Sequence, residues 1–378
     1  MAKKYFVTGA TGTIGSALIP LLLEDPSSQV WALMRADSSE HLKKRLEELI
    51  AFWEMDESQA QDARRRIIPL LGDTDQRKFA LSGDVYTEIS NQCTNIIHCA
   101  GIVRMNLSLA EARQHALGSA QNIVELALAC QASGPLQKIE YVSTVGVAGR
   151  MPGIVPETWI TQSRKFHNTY EQSKAEAEDY LRLKIKKYNL PVTVHRPSMV
   201  VGDSKTGKII HYQIFYYICE FLSGRKTVGL MPCLGDAVLD TVPVDYVVSM
   251  IHCSSSRQDV IGKIFHLCSG PDEAIRLVDL QCLVRQVIRT YGVKLPPLIS
   301  VPLPVFNWVI KIMAPLLNEK LRRAVNTFPF FLDYLREDQR FRSRETLQLL
   351  QTDLKLEDVS SYLERSLKKY LEQEGILN

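Results

Sequence analysis

An α/β fold is the expectation for this chain: a doubly wound parallel sheet, followed by a smaller, mainly helical C-terminal lobe. Three observations carry it. Short β-rich apolar runs alternate with longer helical stretches over about the first two hundred residues, the pattern of strands joined by crossover helices. The strand cores are continuously apolar, as strands buried on both faces should be. A glycine-rich turn closes the first of them.

Taken in order, KYFVTGA reads as the first strand, GSALIPLLLED as the first helix and QVWALMR as the second strand. The charged stretch from Ser38 to Arg66 predicts one long helix. RIIPLLGD, TNIIHCAG, IEYVSTVG and PVTVHRPSMVVG follow as strands, each separated by helical sequence. Past Gly202 the alternation loosens. KIIHYQIFYYICEFLSGRK predicts an aromatic-rich helix, while DTVPVDYVVSMIHCS and GKIFHLCSG predict a return to the sheet. From Ala274 the sequence is helical, with prolines clustered near 296–304. The expected division is a nucleotide-binding core of residues 1–202 and 241–270, with a substrate lobe formed by 203–240 and 271–378.

The bulk numbers exclude several classes. The 378 residues suffice for a full core, and 46% hydrophobic with 23% charged residues is ordinary globular composition. A net charge of +3 lacks the basic excess of a nucleic-acid binder. The eight cysteines include no C-x-x-C pair, so no metal site is expected. Their scatter through apolar runs, with a strand beginning almost at once and no targeting segment, predicts a reducing, cytoplasmic setting. The longest apolar stretch, LPPLISVPLPVFNWVIKIMAPLL at 295–317, is broken by five prolines and carries Lys311. It predicts no membrane span. A helix lying on a membrane surface, or a wall of the substrate pocket, stays open for it.

YFVTGATGTIGSALI sets Gly9, Gly12 and Gly15 between the first strand and the first helix, with Thr8, Thr11, Thr13 and Ile14 among them. Glycines allow the tight turn and close backbone approach, and a helix N-terminus offers N–H donors to a pyrophosphate. The spacing is G-x-x-G-x-x-G rather than G-x-G-x-x-G. Its place at the first strand-to-helix turn makes it a Rossmann-like dinucleotide site. Arg35 ends the second strand, where an acid would take a ribose 2′-hydroxyl and an arginine suits a 2′-phosphate. NADPH is therefore the expected cofactor. Arg45 is a candidate second contact, although in HLKKRLEEL it reads most simply as a solvated helix charge. Asp37 competes as an acid able to turn towards the ribose.

IEYVSTVGVAG ends a strand with Ser143 and Thr144, on the edge where ligands of open parallel sheets gather. Tyr170 and Lys174 follow in NTYEQSKAEAE, four apart and so on one helix face. A phenol titrates near 10, and a neighbouring ammonium favours its ionised form. With Thr144 as a hydrogen-bond donor to a carbonyl oxygen, Tyr170 as proton donor and Lys174 beside it, the group suits hydride chemistry.

In this order and setting the motifs resemble the extended short-chain dehydrogenase/reductase superfamily over residues 4–270. LLGDTDQRKFALS, TNIIHCAGIVRMNLSLAEARQHALGSAQNIVELA, YVSTVGVAG, NTYEQSKAEAE and HRPSMVVGDSKTG are similar to its thioester-reductase and fatty-acyl-reductase branch. The resemblance implies catalytic roles for Thr144, Tyr170 and Lys174, with Thr144 matching the family's hydroxyl better than Ser143. It implies that Tyr170 and Lys174 also meet the cofactor. Asp73 and Thr74 would lie near the adenine, Ala100 and Gly101 would line the cofactor, and Pro197 and Val200 would lie near the nicotinamide. The family often has asparagine in a segment like NVxGT; here HALGS places His115 there, which reads as a satisfied buried histidine. DTVPVDYVV is also similar, with Asp240 and Asp245 read as structural. FPFFLDYLREDQRFRSRETLQLL resembles the helical tail of acyl reductases loosely.

The implied reaction is NADPH-dependent reduction of an acyl thioester, on coenzyme A or a carrier protein, to an aldehyde; a second hydride would give the alcohol. Phe215, Tyr216, Phe221 and Met231 read first as ordinary core and second as a pocket wall. Lys205, Lys208, Arg225 and Lys226 are a weak candidate patch for coenzyme A phosphates or an acidic carrier. A ketone or hydroxysteroid-type dehydrogenase would use the same catalytic groups, and a non-catalytic NADP-sensing protein would use the same fold. Sugar-nucleotide epimerases and dehydratases fit Arg35 and the apolar 203–240 insertion less well.

Overall fold

The structure, a computed structural model, describes residues 2–313, 339–350, 352 and 355–374. Its main sheet has seven strands, numbered here in chain order: β1 Lys4–Thr8, β2 Gln29–Met34, β3 Ile67–Leu71, β4 Asn95–His98, β5 Lys138–Val142, β6 Val192–Pro197 and β7 Ile264–Leu267. Spatially they run β7-β6-β5-β4-β1-β2-β3, every pairing parallel. The chain therefore starts in the middle and winds outward both ways, leaving a topological switch between β1 and β4.

Strand periodicity builds two cores at once. Tyr5 and Val7 of β1, with Val30, Ala32 and Met34 of β2, enter one cluster; Phe6, Trp31 and Leu33 enter the other. The first cluster is closed by helices α1 (Thr13–Leu22), α2 (Ser39–Phe52), α3 (Glu57–Arg66) and α9 (Val244–Ser255). The second is closed by α4 (Gly83–Gln92), α6 (Ser119–Ser133) and α7 (Thr169–Tyr188). α6 continues α5 (Leu109–Arg113) through a π-helical turn, Gln114–Gly118.

Two expectations are corrected. The single helix over 38–66 is two: α2 ends at Phe52, Glu54 takes φ 53°, and Asp56 starts α3 with a capping box to Gln59. Trp53 pins the break by donating its indole N–H to the Ser16 carbonyl at 2.7 Å. Second, DTVPVDYVVSMIHCS does not return to the main sheet. Among the described residues Thr241–Pro243 pairs with Met199–Val201, outside the main sheet, and the segment continues as helix α9. Its residues Val244, Val247, Val248 and Ile251 face the core at helical spacing, so tertiary packing overrides their β-branched preference. GKIFHLCSG does join the sheet, as β7.

A separate apolar cluster joins α8 (Ile214–Leu222), α10 (Leu277–Thr290) and the helix Val359–Gln373. Phe215, Tyr216 and Met231 are buried within it, with Phe221 packed against it, so these residues form core. Residues 339–350 pack elsewhere. Gln339–Phe341 pairs with Gly153–Val155, and the buried Glu157 carboxylate accepts from the backbone of Glu345 and Thr346. In the 295–317 stretch, Ile299–Val301 pairs with Leu230–Pro232 and a helix covers Leu303–Met313. Residues 314–317 of that stretch, and 328–338 of the tail-like segment, lie outside the described residues. No helix among the described residues is long and apolar enough to cross a membrane.

Candidate active site

Because the sheet is parallel, the glycine turn after β1, Arg35 after β2, Asp73 after β3, Ala100 after β4, Thr144 after β5 and Pro197 closing β6 all lie at one edge. At the switch point Gly9 has φ +70°, and a Cβ there would sit 2.7 Å from the Ala100 backbone nitrogen. A Cβ on Gly15 would sit 2.2 Å from the Gly9 carbonyl oxygen. The turn closes with Gly12 N–H donating to Gly9 O at 2.9 Å. Gly12 offers α1 no side-chain cap, so first-turn amides are left to an outside acceptor. A close-approach cradle with spare N–H donors fits a dinucleotide diphosphate. Thr8 plays a different part. It is fully buried, with Oγ1 2.8 Å from His98 Nδ1 and its carbonyl accepting from Cys99 N–H at 3.2 Å, so it builds the strand end beneath the turn and is not itself exposed to a ligand.

Arg45 is not the solvated helix charge its neighbourhood suggests. Half-buried, it donates to the Arg35 carbonyl and, at 2.7 Å, to Thr11 Oγ1. It thus stands between the second strand's end and the glycine turn, with Arg35 exposed beside it. Asp37 is turned to His41, 3.1 Å away. After β3, Asp73 uses its carboxylate on the Asp75 N–H at 3.1 Å, and the Thr74 carbonyl accepts from Asn122 at 2.8 Å. That turn is held by its own hydrogen bonds.

Helix α7 delivers Tyr170 and Lys174. Asn168 caps it, accepting from Glu171 N–H at 3.0 Å, and Thr169 Oγ1 ties it to the Leu107 carbonyl at 2.9 Å. Lys174 is buried; its ammonium donates to the Val142 carbonyl at 3.0 Å and lies 5.3 Å from the Tyr141 ring centroid. Burial lowers its pKa to about 8, against raising effects of Glu178 and Cys99. Burial likewise pushes Tyr170 up to about 12, opposed by a hydrogen bond with Thr144. The depression of Tyr170 by Lys174 that the spacing suggests is not what acts here: burial, aided by Glu171, raises the phenol, and the opposing hydrogen bond comes from Thr144. Ser143 is buried, its N–H bonded to the His195 carbonyl at 2.7 Å, whereas Thr144 is half-exposed and bonded to Tyr170. A cleft lined by Ala100, Gly101, His115, Tyr170, Ser173 and Lys174 gathers several of the singled-out residues. Pro197 and Val200 are buried at the end of β6 and in the short strand after it.

The surroundings of this group are built from buried polar pairs. Arg196 on β6 holds Glu178 on α7 through two hydrogen bonds, 2.9 and 2.6 Å, and also donates to the Thr158 carbonyl at 3.0 Å. Asp240 accepts from Ser269 N–H at 2.9 Å, and burial raises it to about 6. Asp245 accepts from Ser204 at 2.8 and 2.6 Å. Both aspartates therefore organise loops.

Sequence reasoning missed three contacts. His115 is not enclosed: it lines the cleft, on the π-helical turn, with Nδ1 against the Asp75 carboxylate. His211 and Gln213, just before α8, reach the glycine turn, at Thr11 O (3.1 Å) and Thr13 Oγ1 (2.6 Å). The π-helical turn leaves no local signature in the sequence, and the other two contacts span two hundred residues. Of the basic residues in the insertion, Lys208 pairs with Glu54 at 2.8 Å and Lys226 pairs with Glu220. Among the described residues no group of three or more His, Cys, Asp or Glu could hold a metal ion.

Comparison with known proteins adds the following. A family model described as "Male sterility protein", of the NAD-binding type, matches residues 7–251. An aldehyde reductase, lnaA, of Aspergillus flavus is 24% identical over 98% of this chain and 36% of its own length. The chain spans about a third or less of the length of the first curated relatives it matches. Among solved structures, the terminal R domain of the myxalamid PKS-NRPS biosynthetic pathway superposes with TM-score 0.78 at 24% identity, covering 99% of this chain and 91% of that one. A thiolation-reductase di-domain of an archaeal non-ribosomal peptide synthetase gives 0.74 at 19% identity, covering 100% and 77%. These superpositions establish the fold.

Proposed function

The chain belongs to the male sterility protein family, within the extended short-chain dehydrogenase/reductases, and from that premise we propose that it is an NADPH-dependent reductase of acyl thioesters carried on coenzyme A or a carrier protein. The observation that carries this reading is the meeting of Thr144, Tyr170 and Lys174 beside the switch-point cleft. The printed names of the relatives, an aldehyde reductase and a thiolation-reductase di-domain, support the substrate class.

The glycine turn would hold the diphosphate, and Arg35 with Arg45 the 2′-phosphate. Bound there, the dinucleotide supplies the hydride that adds to the thioester carbonyl carbon. As the carbonyl oxygen gathers charge, Thr144 donates a hydrogen bond and Tyr170 gives its proton. Lys174 favours the phenolate that remains. The resulting hemithioacetal then returns its hydroxyl proton to Tyr170 as its C–S bond breaks. The sulfur leaves as a thiol after taking up a proton, and an aldehyde forms. A second round on the aldehyde would yield the alcohol.

The test follows NADPH oxidation and free-thiol release together on a panel of acyl-coenzyme A and acyl-carrier-protein substrates. One NADPH per thiol identifies aldehyde as the product, and two identify alcohol. Oxidation with ketones but no thiol release from any thioester would replace this reading with a ketone dehydrogenase.

A further inference from the structure

We infer that His211 and Gln213 form a lobe-borne half of the diphosphate site, and that they couple its occupancy to the position of helix α8. This rests on the dinucleotide reading above. Gln213 immediately precedes α8 and donates to Thr13 Oγ1 at 2.6 Å; Thr13 is the first residue of α1. His211 Nε2 lies 3.1 Å from the Thr11 carbonyl oxygen, within the glycine turn itself. Neither Gly12 nor Gln213 caps its helix through a side chain. The 211–213 segment therefore reaches the Gly9–Gly15 cradle through two hydrogen bonds, and the second amide N–H of Gln213 stands there with the uncapped first-turn amides of α1. Donors arranged this way match an anion with oxygens on more than one side, as a diphosphate has.

The segment carrying them is fastened to its own lobe. Tyr212 packs edge-on against Tyr216 and Tyr370, with ring centroids 4.7 Å apart in both cases. A Cβ on Gly207 would sit 2.3 Å from the Arg365 carbonyl oxygen, so backbone meets backbone there. Phe215, Tyr216, Ile218 and Leu222 then root α8 in the lobe core. Whatever draws residues 211–213 towards α1 draws α8 with it. Occupancy of the diphosphate site would in this way set the position of α8.

The experiment titrates the full chain with two probes, NADP+ and adenosine 2′-monophosphate, by calorimetry. The second has the 2′-phosphate but no diphosphate. His211→Ala and Gln213→Ala should each weaken NADP+ by roughly ten-fold, the scale of a hydrogen bond to a charged group. Gln213→Glu, which sets a carboxylate against the diphosphate, should weaken it further. All three should leave adenosine 2′-monophosphate affinity unchanged. Amide exchange over residues 205–222 should slow with NADP+ in the wild type and not with the smaller probe. Unchanged NADP+ affinity in the variants, or equal loss for both probes, overturns the inference while the dinucleotide reading stands. A wild-type chain that binds no NADP+ overturns both.

Discussion

In the proposed mechanism Tyr170 carries the hardest chemical demand, because burial holds its phenol at about 12 and a proton donor must also be regenerated. Replacing it with phenylalanine removes the proton and keeps the ring. Turnover should fall by about 10²- to 10⁴-fold, the usual range for a lost general acid, with NADP+ affinity within a few-fold of wild type. Steady-state rates beside calorimetry check this. Lys174 sets a pH limit. Its burial lowers the ammonium to about 8, so the charged form dominates below that pH and is lost as pH rises through it. The kcat/KM profile should therefore fall on the alkaline side near pH 8, well before an ordinary lysine would titrate. The same shift acts on stability with a definite sign. Between about 8 and the unperturbed 10.5 the unfolded chain holds this proton and the native one has released it, so the cost of burying the ammonium is full below 8 and relieved as pH rises. Urea unfolding at pH 7.5 and 9.5 should show a smaller pH response in Lys174→Met than in the wild type. On the proposed reading Arg45 shares the 2′-phosphate with Arg35. Arg45→Ala should weaken NADP+ by roughly ten-fold or more and leave NAD+ nearly unchanged, measured by the same titration.

At the scale of elements, α7 is useful only if it is held still over the sheet. The two-pronged Arg196–Glu178 pair does this from β6, with both side chains almost wholly buried. Removing one partner leaves the other charge unpaired in the interior, so Glu178→Ala should cost about 3–5 kcal/mol in chemical denaturation. The activity of the folded fraction should fall as well, since Lys174 lies one helical turn away on the same face. The α2–α3 break shows how local chemistry was legible but undervalued. Asp56 and Gln59 spell a capping box, D-x-x-Q, inside what reads as an uninterrupted charged helix. In α9 the opposite happened: Val244, Val247, Val248 and Ile251 look like strand residues. The face they share against α1 and the sheet makes them helix.

On the scale of the whole molecule, the parallel sheet is what turns separate motifs into one site. Seven strands running the same way put the ends of β1 to β6 along one edge, so residues up to nearly two hundred positions apart become neighbours. A dinucleotide bound along that edge would touch both lobes, and NADP+ at a hundred times its Kd should stabilise the chain by about 2.7 kcal/mol. A rise in thermal midpoint checks this, and the smaller adenosine probe should raise it less at equal concentration. Much was determined by the sequence alone. Strand alternation, the Gly9–Gly12–Gly15 turn and the four-residue spacing of Tyr170 and Lys174 are local patterns, and backbone geometry reads them directly. What only the tertiary structure decided are contacts without a local period. Arg45 reaches Thr11, His211 and Gln213 reach the glycine turn and the start of α1, His115 faces the cleft, and burial sets the Tyr170 phenol. Each depends on distances across the folded chain and on the loss of water around a side chain, and neither quantity exists until the chain has packed.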